Sequence, residues 1–152
     1  MKSALLEIDR AFEAKVLTLK EATQCFINVF EKHSETTLHL DRVFNANQVK
    51  RLLSFFSSSP LQSCPIRTLH VFGNQFAPNE TQILAETLKT PNNTFDTLYL
   101  FNNQLGPEDM KHLSVALKSE HCHIHTLVLF DNLIGSEGVK HLSDALQSPR
   151  CR

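Results

Sequence analysis

The sequence predicts an α/β solenoid, in which units of one strand and one helix stack side by side. Residues 124–152 repeat residues 95–123 without a gap, and fifteen of the twenty-nine aligned positions are identical. A third copy, residues 66–94, precedes them at the same period. Similarity at a fixed period of this length is typical of stacked repeats, because one unit cannot bury both of its faces alone.

Two pairs of apolar residues define the strand and the helix of each unit. The first pair alternates with polar residues, as in a strand with one buried face. The second pair lies four residues apart, which places both side chains on one side of a helix. The strand pairs are Leu69/Val71, Leu98/Leu100 and Leu127/Leu129, and the helix pairs are Leu84/Leu88, Leu113/Leu117 and Leu142/Leu146. We therefore expect a parallel sheet covered by a layer of helices.

Residues 37–65 are interpreted as a degenerate first repeat. Leu38 precedes Leu69 by 31 residues rather than 29, so this unit carries two extra residues. Terminal repeats are expected to be atypical. The predicted repeat domain covers residues 37–152, with units at 37–65, 66–94, 95–123 and 124–152.

Residues 1–36 do not match the repeat and are predicted to form a helical N-terminal cap. Apolar residues from Leu5 to Val16 recur at spacings of three and four, which is typical of an amphipathic helix. Thr18 and Glu21 have the spacing of a capping box at the start of a second helix. Such a cap would cover the first repeat, whose core is otherwise exposed. A separate helical interaction domain is the alternative.

One asparagine recurs just after each strand, at Asn74, Asn103 and Asn132. An amide offers two donors and an acceptor, so it can bond the backbone groups that a turn leaves unpaired. We expect these residues to form a structural asparagine ladder.

These residues resemble the ribonuclease-inhibitor-like class of leucine-rich repeats. The resemblance rests on L-x-L-x-x-N-x-L, on a small residue after it (Ala77, Gly106 and Gly135) and on the length of 29 residues. It covers residues 66–152 well and residues 37–65 loosely. It implies a right-handed leucine-rich-repeat solenoid with parallel β-strands on the concave face and α-helices on the convex face. It further implies a protein-binding role and no catalysis.

Residues that alternate with the core leucines would form columns on the concave face, because strand side chains alternate between faces. The first column holds Thr37, Thr68, Thr97 and Thr126, the second His39, His70, Tyr99 and Val128, and the third Asp41, Phe72, Phe101 and Phe130.

The three phenylalanines give the strongest indication of a binding site. They would lie side by side at positions that face water, and exposed aromatic patches are typical of interaction sites. We predict a partner-binding strip of Phe72, Phe101 and Phe130, flanked by His39, His70, Tyr99 and Asp41. The alternative is that the rings pack against one another or under the following loop and bind no partner.

The three histidines of residues 121–125 alternate with other residues around Cys122, which superficially suggests a metal site. Cys122 aligns with Cys64 and Cys151, in a column where the resembled family buries a thiol. We therefore expect exposed histidines and buried, reduced cysteines, and we predict no metal and no cofactor.

Composition argues against several other functions. Fifteen basic and sixteen acidic residues leave a net charge of -1, which gives no electrostatic reason to expect nucleic acid or a membrane as partner. No phosphate loop, nucleophile elbow, H-E-x-x-H or C-x-x-C motif is present, so we expect no enzyme. Four cysteines are too few for a disulfide scaffold. We expect a cytoplasmic protein in a reducing compartment.

The sequence stops at the boundary of a repeat, which leaves two interpretations. The chain is a fragment of a longer repeat protein, or another subunit covers the open C-terminal end by self-association. The favoured function is a non-catalytic module that binds a protein, either as an adaptor or as an effector that a bacterium delivers into a host cell. The alternative is a regulator of an enzyme, either an inhibitor or a GTPase activator, for which Arg42 is the local candidate arginine.

Overall fold

The computed structural model of the chain describes residues 2–14, 18, 21, 24–25, 28–29, 31–32, 36–41, 46–58, 65–73 and 78–151. Strands and helices alternate along the described part of the chain. The strands are β1 (Thr37–Asp41), β2 (Thr68–Phe72), β3 (Thr97–Tyr99) and β4 (Thr126–Val128). The helices are α1 (Lys2–Glu13), α2 (Ala46–Ser58), α3 (Pro78–Leu88), α4 (Pro107–Leu117) and α5 (Gly135–Leu146).

The four strands form one parallel sheet in the order β1-β2-β3-β4. Leu98 lies opposite Leu127, and Leu69 lies opposite Leu98, so paired residues are 29 positions apart in this part of the sheet. Between β1 and β2 the offset is 31 positions, because Leu38 pairs with Leu69. The predicted parallel sheet with alternating helices is confirmed, and the two extra residues lie in the connection between β1 and β2.

The core lies between the sheet and the helices, which pack side by side in chain order. Leu69 and Val71 of β2 are fully buried, whereas Thr68, His70 and Phe72, which alternate with them, are half-buried. Leu84 and Leu88 of α3 are also fully buried. The alternation in the strands and the spacing of four in the helices therefore point the leucines into one shared core, as the pattern predicts.

The last unit departs from the predicted burial of its helix leucines. Leu146 is 69% exposed, whereas its counterpart Leu117, one unit earlier, is 6% exposed. Val139 and Leu133 are also exposed, at 58% and 70%. Each unit is covered by the unit that follows it, and within the described residues no element packs against the outer side of β4 and α5.

At the other end, α1 packs against α2 through a buried ion pair. Asp9 is fully buried, and its carboxylate accepts hydrogen bonds from Nε and Nη2 of Arg51 at 2.7 and 2.9 Å. Gln48 donates a third bond to Asp9 at 3.3 Å. Leu5 contributes a fully buried side chain from the same helix. These contacts join α1 to the first repeat, and the role of residues 1–36 as a cap stays a prediction.

The predicted capping box at Thr18 is present. The backbone N–H and the hydroxyl of Thr18 donate to Glu21 Oε2 at 2.8 and 2.7 Å, and the N–H of Glu21 donates to the Thr18 hydroxyl at 3.3 Å. The described residues between 21 and 32 are helical. None of the helices in the described ranges has the length and apolar character needed to cross a membrane.

The turns after β2, β3 and β4 use a left-handed residue. Gly73, Asn102 and Asp131, which are 29 positions apart, have φ angles of 63°, 55° and 60°. Glycine, asparagine and aspartate are the residues that adopt this conformation most readily. This column was not predicted from the sequence, although its composition of Gly, Asn and Asp is a recognisable signal.

Candidate functional site

The pairing of β3 with β4 continues beyond the ends of both strands. The N–H of Leu100 donates to the carbonyl of Val128 at 2.8 Å, and the N–H of Asn102 donates to the carbonyl of Phe130 at 3.2 Å. These two bonds lie on either side of Phe101. They hold Phe101 and Phe130 next to each other, although neither belongs to a strand.

The three phenylalanines form a continuous stack across the sheet, which we call the phenylalanine ladder (Phe72, Phe101 and Phe130). The ring centroids of Phe72 and Phe101 are 4.6 Å apart, with 31° between the ring planes. Those of Phe101 and Phe130 are 4.8 Å apart, with 10° between the planes. Neighbouring strands are separated by about 4.8 Å, so the strand spacing by itself brings the rings into contact.

A second row of rings runs beside the ladder, which we call the histidine–tyrosine row (His39, His70 and Tyr99). Its ring centroids are 5.0 Å apart between His39 and His70 and 5.3 Å apart between His70 and Tyr99. His70 also contacts Phe101 edge-on, at 5.2 Å and 77°. The two rows therefore form one aromatic surface on the face of the sheet that turns away from the core.

The side chains of the ladder are partly exposed to solvent. Phe72 and Phe101 are half-buried, and Phe130 is 63% exposed. The rings do pack against one another, as the alternative interpretation expected, yet none of the three is buried. Because Phe101 turns its two faces to its neighbours, it presents its ring edge to solvent.

That orientation determines which chemical groups Phe101 can contact. The edge of an aromatic ring carries partial positive charge and its face carries partial negative charge. Ring edges therefore suit apolar side chains, the faces of other aromatic rings and hydrogen-bond acceptors. A cation prefers the face of a ring, and both faces of Phe101 are occupied.

Asp41 is the remaining predicted member of the site. Its backbone ends β1 and pairs with Phe72, and its side chain lies outside the described part of the structure. The sheet register therefore places the position of Asp41 next to the ladder.

Asn103 is fully buried at the corner that follows β3. Its side-chain nitrogen donates to the carbonyl of Val71, in the preceding unit, at 2.9 Å and to the carbonyl of Phe101 at 3.1 Å. One amide thus bonds the backbone of two adjacent units.

Asn132 repeats this arrangement one unit later. Its nitrogen donates to the carbonyls of Leu100 and Leu129, both at 2.7 Å. Its oxygen accepts from the N–H groups of Asn103 and Leu105, at 3.0 and 3.1 Å. Asn74, the third predicted member of the asparagine ladder, lies outside the described residues.

The contact between His70 and Phe101 was not anticipated from the sequence. Between β2 and β3 the columns predict contacts between residues 29 positions apart, such as His70 and Tyr99, whereas His70 and Phe101 belong to different columns. No sequence signal identifies such a diagonal contact, because it depends on sheet twist and on the side-chain rotamers.

Of the three histidines near Cys122, His123 and His125 are exposed as expected, whereas His121 is half-buried. Among the described residues there is no group of three or more His, Cys, Asp or Glu side chains that could hold a metal ion.

The described cysteines are free thiols, namely Cys25, Cys122 and Cys151. We expected Cys122 and Cys151 to be buried, and both are half-buried. Cys122 lies at the end of the unit at 95–123 and Cys151 at the end of the last unit. Burial still raises the pKa of the Cys122 thiol, because the charged thiolate loses hydration.

Comparison with protein families gives a match over a short part of the chain. The family model described as "Leucine Rich repeat" matches residues 120–143, which include β4 and the first part of α5. This match supports a leucine-rich repeat protein, and such repeats are typically non-catalytic modules for protein–protein interaction. No curated protein matches the chain.

Proposed function

We propose that this chain is a non-catalytic module that binds a protein partner on the sheet face away from the helices, which the sequence resemblance makes the concave face. The observation that carries the proposal is the partly exposed phenylalanine ladder. Polar residues would be favoured at positions that face water, and exposed aromatic clusters are typical of interfaces. The proposed binding residues are Phe72, Phe101 and Phe130 with His39, His70, Tyr99 and Asp41.

The histidine–tyrosine row adds polar groups along one side of the ladder. The phenol hydroxyl and the imidazole nitrogens can donate hydrogen bonds to carbonyl or carboxylate oxygens. Among the described strand residues no lysine or arginine lies on this face. An apolar peptide segment whose backbone carbonyls reach the histidine–tyrosine row is therefore the partner that best matches the surface.

The proposed interface is small. Four strands span roughly 15 Å, given the spacing of about 4.8 Å between neighbours. A stable interface usually buries about 800 Å² on each partner. We therefore expect this chain by itself to bind with modest affinity, through a few aromatic contacts.

Affinity capture with a matched pair of variants tests the proposal. Phe101→Ser removes the central ring of the ladder, whereas Val115→Ser removes an apolar side chain that is 50% exposed on α4. We expect proteins that are captured by the wild type and by V115S but lost from F101S, with circular dichroism showing that all three chains are folded. If the three folded chains capture the same proteins in equal amounts, the ladder is not the binding site.

The proposed binding face is compatible with more than one biological role. An effector acting in a host cell, or a regulator of an enzyme, would use the same binding face. Arg42, the candidate arginine for a GTPase activator, lies outside the described residues. A reducing, cytoplasmic compartment remains part of the proposal, because four cysteines are too few for a disulfide scaffold.

Self-association through the open C-terminal end is a second candidate interaction. Leu133 and Leu146 are 70% and 69% exposed on the outer side of the last unit. Sedimentation over a hundredfold range of concentration tests this interaction. We expect the average mass to rise with concentration and the double variant L133S/L146S to remain monomeric, and a monomeric wild type throughout the range would rule self-association out.

A further inference from the structure

One apolar face of the last unit corresponds to a face that is buried one unit earlier. We call it the end face, and its residues are Leu127, Leu129, Val139, Leu142 and Leu146. Their counterparts are all buried where β4 and α5 stack on β3 and α4, and they are Leu98, Leu100, Met110, Leu113 and Leu117. In the end face, Val139 is 58% exposed and Leu146 is 69% exposed. The end face therefore continues an interface that the chain already uses, with no described element covering it.

The edge of β4 offers backbone hydrogen bonds beside the end face. The carbonyl of Val128 accepts from the N–H of Leu100 on the β3 side. Since the backbone groups of successive strand residues point to alternate sides, those of Leu127 and Leu129 point to the open side. The N–H of Leu129 has no acceptor among the described residues, and its carbonyl accepts one bond, from Asn132. A further strand can therefore join the sheet at this edge.

At the opposite end of the described sheet, the core leucines are covered. Leu38 and Leu40 of β1 are fully buried, and α1 is held against α2 by the ion pair of Asp9 with Arg51. A head-to-tail stack of copies would have to displace α1. A two-fold axis avoids this, because it joins the end faces of two copies and leaves α1 in place.

The charges of α5 are arranged symmetrically about Leu142. Lys140 precedes Leu142 by two residues and Asp144 follows it by two, and both charged residues are exposed. In an antiparallel pair of α5 helices centred on Leu142, Lys140 of each copy lies opposite Asp144 of the other. Val139 and Leu146 come to face each other in the same way. Two copies of α5 are therefore complementary in charge and in the placement of their apolar side chains.

The same axis suits the strands. With the axis at Val128, Leu127 of one copy pairs with Leu129 of the other, so the outward backbone groups of both strands are bonded. Leu127 and Leu129 line one cavity of about 280 Å³ together with Leu142 and Leu146. The centre of β4 and the centre of α5 thus lie at one level of the unit, and a single axis serves both.

We propose that two copies of this chain associate through their end faces about a two-fold axis. Strand β4 pairs antiparallel with β4 of the other copy, and α5 packs antiparallel to α5, which joins the two four-stranded sheets into one. This inference rests on the self-association proposed above and adds its arrangement. It does not depend on the phenylalanine ladder binding a protein.

Charge reversal on α5 tests the arrangement by sedimentation at low ionic strength, where exposed ion pairs are screened least. K140D and D144K each place like charges opposite each other, so we expect each variant to self-associate at least about tenfold more weakly than the wild type. The double variant K140D/D144K restores opposite charges at both contacts, and so does an equimolar mixture of the two single variants. We expect both of these samples to associate as the wild type does. Lys118→Asp, at an exposed lysine that follows α4, is the control and leaves association unchanged.

The outcomes separate the arrangement from self-association itself. The two-fold arrangement alone is overturned if the wild type self-associates while the double variant and the mixture remain as weak as the single variants. A wild type that stays monomeric throughout the concentration range overturns both proposals.

A disulfide checks the strand register. Across the axis Val128 lies next to its own copy, with Cα atoms about 4.5 Å apart, which is within the range that a disulfide spans. V128C is treated with oxidised glutathione, which is reduced as the two thiols join, and peptide mass spectrometry locates the linkage. We expect a bond between position 128 of the two copies, and no such bond for Thr97→Cys, which lies on β3 away from the axis. An associated V128C that forms no bond at this position overturns the pairing of β4 with β4.

Discussion

The side-chain oxygen of Asn132 accepts a hydrogen bond from the backbone N–H of Asn103 at 3.0 Å. The two residues are 29 positions apart, and each belongs to the asparagine ladder predicted from the sequence. Asn103 in turn donates to the carbonyl of Val71, one unit earlier. Neighbouring units are therefore joined at this corner by side chain to backbone bonds as well as by the sheet.

Replacing Asn103 by alanine is expected to lower the free energy of unfolding by about 1–3 kcal/mol. The substitution leaves the carbonyls of Val71 and Phe101 without the donor that the amide supplies, at a fully buried corner. Urea denaturation measures the loss. Gln104→Ala is the control, because Gln104 is exposed and lies one position away. A melting curve of N103A that coincides with the wild type would contradict a structural role.

Replacing Arg51 by alanine is expected to cost about 3 kcal/mol, the lower end of the range for breaking a buried ion pair. Asp9 is fully buried and would lose two charged donors, while Arg51 itself is 24% exposed in the folded chain. Denaturation of R51A measures the loss, and Arg10→Ala, an exposed arginine of α1, is the control. Equal stabilities of the two variants would show that the ion pair does not secure α1.

Leu117 and Leu146 provide a matched pair for the effect of stacking. Leu117 is covered by the last unit and Leu146 is not, with exposures of 6% and 69%. We expect Leu117→Ala to cost about 2–5 kcal/mol and Leu146→Ala to cost within about 0.5 kcal/mol. Thermal denaturation compares the two variants. A cost of L146A that increases with protein concentration would instead show that a second copy covers this surface.

Glu21 is expected to contribute a pH-dependent stability to its helix. Hydrogen bonds from the backbone N–H and then the hydroxyl of Thr18 lower the pKa of the Glu21 carboxyl. Because the folded pKa lies below the unfolded one, the stabilisation is present above the unfolded pKa and is lost as pH falls through the folded pKa. A ¹³C titration of the carboxyl checks this, and T18A should raise the pKa of Glu21. An unchanged titration in T18A would contradict the hydroxyl contribution.

Most of the sheet could be predicted from the sequence, because residues at one period become lateral neighbours when similar units stack. Thr97 and Thr126 are paired as the period predicts, and so are Tyr99 and Val128. The burial of Leu142 and Leu146 was predicted less well. The helix pattern marks the side that faces a neighbour, and it does not show whether a neighbour is present.

The candidate site was predicted as a set of positions rather than as a surface. The column of Phe72, Phe101 and Phe130 follows from the period. The sequence left open whether the rings would face water or be buried, and in the structure they stack on each other and remain partly exposed.

By itself the sequence determined which residues become neighbours, because a period of 29 residues and the alternation of strand side chains assign each residue to a column and a face. Only the tertiary structure decided how those neighbours meet. Sheet twist and rotamers set the ring orientation, the contact of His70 with Phe101 and the separation of His39 from His70. A repeat pattern carries no information on these, because twist and rotamers are set by packing among several units at once.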